Sequence, residues 1–100
     1  MIKTELTIII PVFNEKKTLP ILLDKIFSIK LSKQIIIVDD KSTDGTVKVI
    51  YKYKKKIHKI ICHKKNKGKG GAIISAQKFI KGKYVIIQDA DLEYDPCLLY

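Results

Sequence analysis

The chain has 100 residues, 46% hydrophobic and 30% charged, a length and balance that suit one folded domain burying roughly two-thirds of its unfolded surface. No apolar run approaches the roughly 20 residues of a membrane-spanning helix, and the N-terminus runs straight into a strand pattern rather than a signal peptide, so a cytoplasmic protein is expected. The formal charge of +10 comes entirely from lysine; without arginine for bidentate contacts to bases and phosphates, no nucleic-acid partner is expected.

Leu6 to Val12, LTIIIPV, reads as a strand apolar on both faces, as a central parallel strand is, with Pro11 ending its ladder. Phe13, Asn14 and Glu15 make the turn that follows. Thr18 is the candidate N-cap of a first helix with Pro20 in its first turn, and Leu19, Leu22, Leu23, Ile26 and Phe27 keep helical spacing. Residues 34–38 are a second strand, ending in Asp39 and Asp40. Residues 41–46, KSTDGT, supply turn and cap chemistry for a second helix through Val47, Ile50 and Tyr51, whose tail YKYKKK puts cations at a helix C-terminus. Residues 57–62 are a shorter third strand. Residues 66–71, NKGKGG, open a third helix with an apolar face of Ala72, Ile73, Ala76, Phe79 and Ile80, which Gly82 is expected to stop. Tyr84 to Ile87 is a fourth strand that reads as buried on both faces.

Strands alternating with helices predict an α/β fold with a parallel sheet, right-handed crossovers and helices on both faces. In a doubly wound order of 3-2-1-4, strands 1 and 4 meet at the switch point, where ligands bind beyond the carboxyl ends of the strands. Phe13 to Glu15, Asp39 and Asp40, and Asp89 to Glu93 would line that crevice. Cys62 and Cys97 lack a CxxC spacing and read as free thiols, while His58 and His63 flank the third strand and are expected to face solvent.

The acidic residues are segregated. Of ten, only Glu5 and Asp24 lie away from the strand ends; Glu15, Asp39, Asp40, Asp44, Asp89, Asp91, Glu93 and Asp95 all follow strands. The last four fall within the stretch VIIQDADLEYDP, and carboxylates so crowded repel one another unless a cation stands among them. Asp89 and Asp91 in a D-x-D pattern suit a Mg²⁺ that bridges to substrate phosphates. Gly68 to Gly71 would let Lys67 and backbone N–H groups approach phosphates, although the segment matches neither the Walker nor the dinucleotide pattern, and a plain helix start explains it equally. Asp39 and Asp40 read either as a cap pair or as acceptors for a base N–H or ribose hydroxyl.

Taken together, IIIPVFNEKKTL (residues 8–19), IIIVDDKSTDGT (35–46), NKGKGGAI (66–73) and VIIQDADLEYDP (85–96) resemble the inverting family-2 glycosyltransferases of the GT-A fold. The dolichyl-phosphate mannose and polyprenyl-phosphate glucose synthases are the nearest likeness. The resemblance implies that Pro11, Phe13, Asn14 and Glu15 line a nucleotide-sugar pocket, that Val38 and Asp40 flank base and ribose, and that Lys67 and Gly68 lie close by. It makes Asp89, Ala90 and Asp91 the DXD element, with Asp89, Asp91 and Glu93 around Mg²⁺ or Mn²⁺ and Asp91 as the catalytic member. The implied donor is a GDP- or UDP-linked sugar, and the implied acceptor a lipid phosphate at the cytoplasmic face of a membrane, to which a lysine-rich surface is drawn by about 1 kcal/mol per well-placed Lys.

Lys41 stands where that family usually carries a small residue, and the sequence stops at Tyr100, just after the metal motif. The expectation is therefore a GT-A part, residues 1–100, without the acceptor-binding half. Two alternatives go with it. One is a truncated, non-catalytic nucleotide-sugar-binding module, self-associating through an exposed sheet edge. The other is a HAD-type phosphatase, whose D-x-D pair Asp89 and Asp91 also resemble, although that family places the pair after its first strand and has Thr or Val where this chain has Glu93.

Overall fold

The computed structural model describes residues 4–90. They form β1 (Leu6–Val12), α1 (Leu19–Phe27), β2 (Lys33–Asp39), α2 (Thr46–Lys52), a 3-10 turn (Lys54–Lys56), β3 (Lys59–Cys62), α3 (Gly68–Gln77) and β4 (Tyr84–Ile87). The strands make one parallel sheet in the order β3-β2-β1-β4. This is the α/β architecture expected from the alternation of strand and helix.

Successive side chains of a strand point to opposite faces, and the isoleucine runs use both. Leu6, Ile8, Ile10 and Val12 of β1 join Ile35 and Ile37 of β2 against Leu19, Leu22, Leu23 and Ile26 of α1 and Ile50 of α2. Ile9, Ile36 and Val38 turn the other way, onto Ala72 and Ala76 of α3. Each fully buried Ile or Leu contributes about 1.5–3 kcal/mol, so the pair of central strands anchors the domain. The placement of the helices follows from the path. The chain steps outward from β1 to β2 to β3 with α1 and α2 on one face, then reverses past β1 to reach β4. With one crossover hand throughout, that reversal puts α3 on the other face.

The structure corrects several local expectations. Pro11 does not end β1: it stands opposite Val38, and the β1–β2 pairing runs on to Val12 and Asp39. The carbonyl of Ile9 accepts from Gln88 of the β4 side and that of Val12 from Asp40 of the β2 side, so alternate residues serve alternate neighbours. Pro11, in phase with Ile9, therefore ends only the β4 ladder, whose last partners are Ile9 and Ile87. Thr18 makes no side-chain cap; its hydroxyl donates to Glu15 Oε2 at 2.9 Å. α2 stops at Lys52, and the next lysines form the 3-10 turn because Tyr53 packs on Phe27 of α1, ring centroids 6.0 Å apart, with Lys56 Nζ 5.0 Å from the Phe27 ring.

β3 begins at Lys59 rather than residue 57. Just before it, His58 does not face solvent freely; its Nδ1 accepts the Ile35 N–H at 2.9 Å. Burial, with the charges of Lys33 and Lys81, holds that imidazole's pKa below its usual value, which suits an acceptor. Gly82 is not a helix stop either, since α3 ends at Gln77. A Cβ there would lie 2.5 Å from the Thr7 nitrogen, so this position needs glycine for close backbone approach. Its N–H donates to Thr7 Oγ1, which in turn donates to Gln34 Oε1 inside the core. β4 is the largest departure. Tyr84, Val85 and Ile87 are 61%, 45% and 42% exposed, because α3 packs over β1 and β2 and leaves β4 at an open edge. Only Ile86 packs onto the α1–α2 core.

Candidate nucleotide-sugar site

The carboxyl end of β1 is built by hydrogen bonds between two loops. Asn14 adopts φ +53°, tolerable for Asn, and its Oδ1 accepts the Thr43 N–H at 2.7 Å, while its own N–H donates to Ser42 Oγ at 2.9 Å. The Glu15 N–H donates to Thr46 Oγ1 at 3.1 Å and the Lys16 N–H to Asp44 Oδ2 at 3.3 Å. Asp44 also receives both the N–H and the hydroxyl of Thr46. The Thr46 bonds hold the Asp44 carboxyl below its ordinary pKa in spite of some desolvation. Lys41, which stands where the family usually carries a small residue, sits at φ +63°, the left-handed region that a β-carbon resists.

At the end of β2 the two aspartates divide their work. Asp39 accepts the Ser42 N–H at 2.9 Å and its hydroxyl at 2.5 Å, closing the turn after the strand. Asp40 reaches across to α3. Its Oδ1 accepts the Lys67 N–H at 2.7 Å and its Oδ2 the Gly68 N–H at 3.0 Å, in place of a cap from the helix's own sequence. Asn66 Nδ2 donates to the Asp40 carbonyl at 2.5 Å. Burial raises the Asp40 pKa, but the bonds from His63, Lys67 and Gly68 outweigh it and hold the carboxyl below the usual aspartate value. The amides of Lys67 and Gly68, expected to approach phosphate, are thus spent on a carboxylate. Gly68 itself has φ +74°, a conformation glycine adopts without penalty.

These ends enclose a cleft of about 260 Å³ over the junction of β1 and β4. Pro11, Phe13, Glu15, Asp40, Gly68, Asp89 and Ala90 of the expected site line it, joined by Val12, Lys69 and Ala72. Phe13 is 48% exposed, a free aromatic surface at the wall. Asn14 lies instead in the loop bonds just described, Val38 is fully buried in the α3-side core, and Lys67 contributes its backbone to Asp40. Asp91 and Glu93 lie outside the described residues, as do Asp95 and Cys97. Asp89 receives Lys69 Nζ at 2.8 Å. Its carboxylate is a hard oxygen donor on the cleft wall, already facing a cation, and in those respects it fits Mg²⁺ or Mn²⁺, which take one or two protein carboxylates. Among the described residues no group of three Asp, Glu, His or Cys side chains gathers as a metal cage.

The sequence reading missed His63. It is 9% exposed rather than solvent-facing, with Nδ1 2.9 Å from Asp40 Oδ1 and Nε2 2.7 Å from Ser75 Oγ. Cys62 is a free thiol, as expected; partial desolvation and the charge of Asp39 raise its pKa against a hydrogen bond with Tyr51.

The model of "Glycosyl transferase family 2" matches residues 7–100. Dolichyl-phosphate beta-glucosyltransferase of Homo sapiens is 35% identical, the match covering 87% of this chain and 31% of that protein. Its Dictyostelium discoideum counterpart is also 35% identical, over 86% of this chain and 30% of its own. Poly(ribitol-phosphate) beta-glucosyltransferase of Bacillus spizizenii is 32% identical over 87% of this chain and 15% of its length. The chain thus spans 31% or less of the curated relatives described. Among solved structures, mannosyltransferase PcManGT from Pyrobaculum calidifontis, in complex with GDP-Man and Mn²⁺, superposes with TM-score 0.81 at 26% identity, over 90% of this chain and 28% of its own. S. aureus TarS 1-349 in complex with UDP-GlcNAc gives 0.80 at 27% identity, over 88% and 27%. A match across nearly the whole sequence decides the family: the chain belongs to glycosyl transferase family 2 and has the GT-A fold.

Proposed function

We propose that this chain is the donor-binding part of a glycosyltransferase that moves a hexose from a GDP- or UDP-linked sugar to a polyprenyl or dolichyl phosphate, with inversion. The observation that carries this reading is the convergence of Glu15, Asp40 and Asp89 from separate strand ends on one cleft at the switch point. Phe13 offers its ring to a base or sugar face, and Asp40, fixed by backbone N–H groups, keeps an ionised edge toward base or ribose. The metal ligands would be Asp89 with Asp91 and Glu93, and Asp91 takes the catalytic role. A bound Mg²⁺ or Mn²⁺ would stabilise the negative charge that develops on the departing nucleoside diphosphate. A lipid phosphate is ionised near neutral pH, so no side chain has to take its proton. The acceptor site is assigned to the part of the relatives' length that this chain does not span.

Isothermal titration is expected to show UDP- or GDP-sugar binding that requires Mn²⁺ or Mg²⁺; folded protein that binds neither nucleotide sugar with metal present would refute the proposal. Among the described residues no helix is long and apolar enough to cross a membrane, and the excess of lysine supports a peripheral position at the cytoplasmic face. The open β4 edge, with Tyr84, Val85 and Ile87 exposed, supports self-association of this chain. Light scattering should then give a mass that rises with concentration, and a constant monomer mass would count against it.

A further inference from the structure

A line of hydrogen bonds runs from the middle of α3 to the cleft, through a residue that the donor-site reading does not use. His63 follows β3, and its ring lies between Asp40, at the end of β2, and Ser75, on α3. A carboxylate only accepts, so His63 Nδ1 carries the proton that meets Asp40 Oδ1. In the neutral ring Nε2 is then an acceptor, and the Ser75 hydroxyl donates to it. Ser75 and His63 line a second groove, together with Lys67 and Phe79, whereas Asp40 lines the cleft. The trio has the bond order of a nucleophilic relay. Its serine, however, is outside the cleft and uses its hydroxyl on the ring, so the arrangement works as a brace.

We propose that His63, oriented by Ser75, is a positioning residue for the Asp40 carboxylate and for the Lys67–Gly68 backbone at the cleft; the proposal rests on the reading of that cleft as the donor site. Asp40 Oδ1 takes one bond from His63 and one from the Lys67 N–H, and Oδ2 takes the Gly68 N–H. The two backbone donors belong to one segment, the entry to α3, so the bond from His63 is the one that ties the carboxylate to a different element. His63 comes from β3 and supplies that tie. Ser75 lies about 10 Å along the helix axis from Gly68, at 1.5 Å per residue. The brace therefore ties α3 to the sheet at two separated points, its N-terminus through Asp40 and its middle through the ring. Together with the packing of Ala72 and Ala76 on the sheet, the two polar points fix the tilt of the helix. A binding carboxylate has to be held within about 0.5 Å to keep its ligand geometry, which is the tolerance such a brace enforces.

The test compares His63→Leu, His63→Asn and Ser75→Ala in the full chain. Asn places an amide N–H where Nδ1 donates, while Leu fills space and donates nothing. Two readouts are taken: affinity for UDP and GDP with Mn²⁺ by titration calorimetry, and amide hydrogen exchange at Lys67 and Gly68 without nucleotide. His63→Leu is expected to weaken nucleotide binding about tenfold, the size of one lost charge-assisted hydrogen bond, and to speed exchange at both amides by a similar factor. His63→Asn should restore both to within about threefold, and Ser75→Ala should cost about two- to threefold. Wild-type affinity together with wild-type exchange in His63→Leu would overturn the proposal, and so would His63→Asn behaving like Leu, which would make the ring mere packing. If His63→Leu does not fold, Ser75→Ala decides in the same two readouts. If wild-type protein binds neither nucleotide, the donor reading falls, while faster exchange in His63→Leu that Asn reverses still upholds the brace.

Discussion

Asp40→Asn is expected to lower the unfolding free energy at pH 7 by about 2–3 kcal/mol, and the thermal midpoint by roughly 10–20 °C for a domain of this size. Asp40 is 8% exposed and meets only donors: His63 Nδ1, the Lys67 N–H and the Gly68 N–H. An asparagine amide has one accepting atom and one donating atom. Whichever way it turns, its NH₂ faces at least one N–H, and a buried donor goes without an acceptor. The pH dependence has a definite sign. The folded-state pKa of Asp40 lies below the ordinary 3.8, so the folded protein favours the charged form. Its contribution is complete above the unfolded value and is lost as pH falls through the folded one. Urea unfolding at pH 7 and pH 3 should therefore show a wide gap between wild type and variant that narrows in acid. Asp44, lowered in the same direction through Thr46, adds to the acid sensitivity of both proteins, so the gap between them isolates Asp40. Equal stability of the two at pH 7 would mean that the carboxylate does not hold α3 to the sheet.

What the sequence made legible was whatever depends on near neighbours. β1 and β4 are found where their apolar runs place them, and the strand order follows from the alternation of elements, because crossover handedness leaves few ways to wind a parallel sheet. The stripe of Leu19, Leu22, Leu23 and Ile26 is buried as its spacing requires. What stayed hidden depends on partners far along the chain. His63 is 23 residues from Asp40 and 12 from Ser75, so nothing beside it in sequence marks it. Gly82 reads as a helix stop until Thr7 is found against it from the opposite end of the chain. The burial of β4 was misjudged for the same reason. An apolar run of four residues states that cover is wanted, not which helix provides it, and α3 lies over the two central strands instead. Of the candidate site, the carboxylates that line the cleft, Glu15, Asp40 and Asp89, were visible by segregation on a basic chain, whereas the use of Asp40 as a remote cap for α3 came only from the fold.

Asp89→Ala should abolish the metal dependence of nucleotide binding and cut the affinity for a UDP- or GDP-sugar in Mn²⁺ by about 100-fold or more, since even the outer-shell partners of metal sites cost about 10–100-fold when mutated. If Asp89 holds the metal as proposed, two cations would compete for this side chain. Lys69 Nζ stands 2.8 Å from Asp89 Oδ2, with the lysine side chain 55% exposed and that of Asp89 26%. A half-exposed ion pair is worth about 0–1 kcal/mol, so the Lys69 contact would offer little resistance to a divalent ion that Asp89 would hold with further oxygen donors. The effect of removing the carboxylate separates by condition. In EDTA, Asp89→Ala and wild type should be indistinguishable, because without a divalent ion the carboxylate has no metal to hold for the donor. In Mn²⁺, the variant should gain nothing from the metal. Lys69→Ala provides the opposite arm: with its competitor gone, Asp89 should take Mn²⁺ up to about fivefold more tightly, the equivalent of the lost ion pair. Calorimetry of each variant with Mn²⁺ and with EDTA reads all of these. An Asp89→Ala protein that keeps a wild-type response to Mn²⁺ would remove Asp89 from the metal site and leave its lysine pair as an ordinary surface contact.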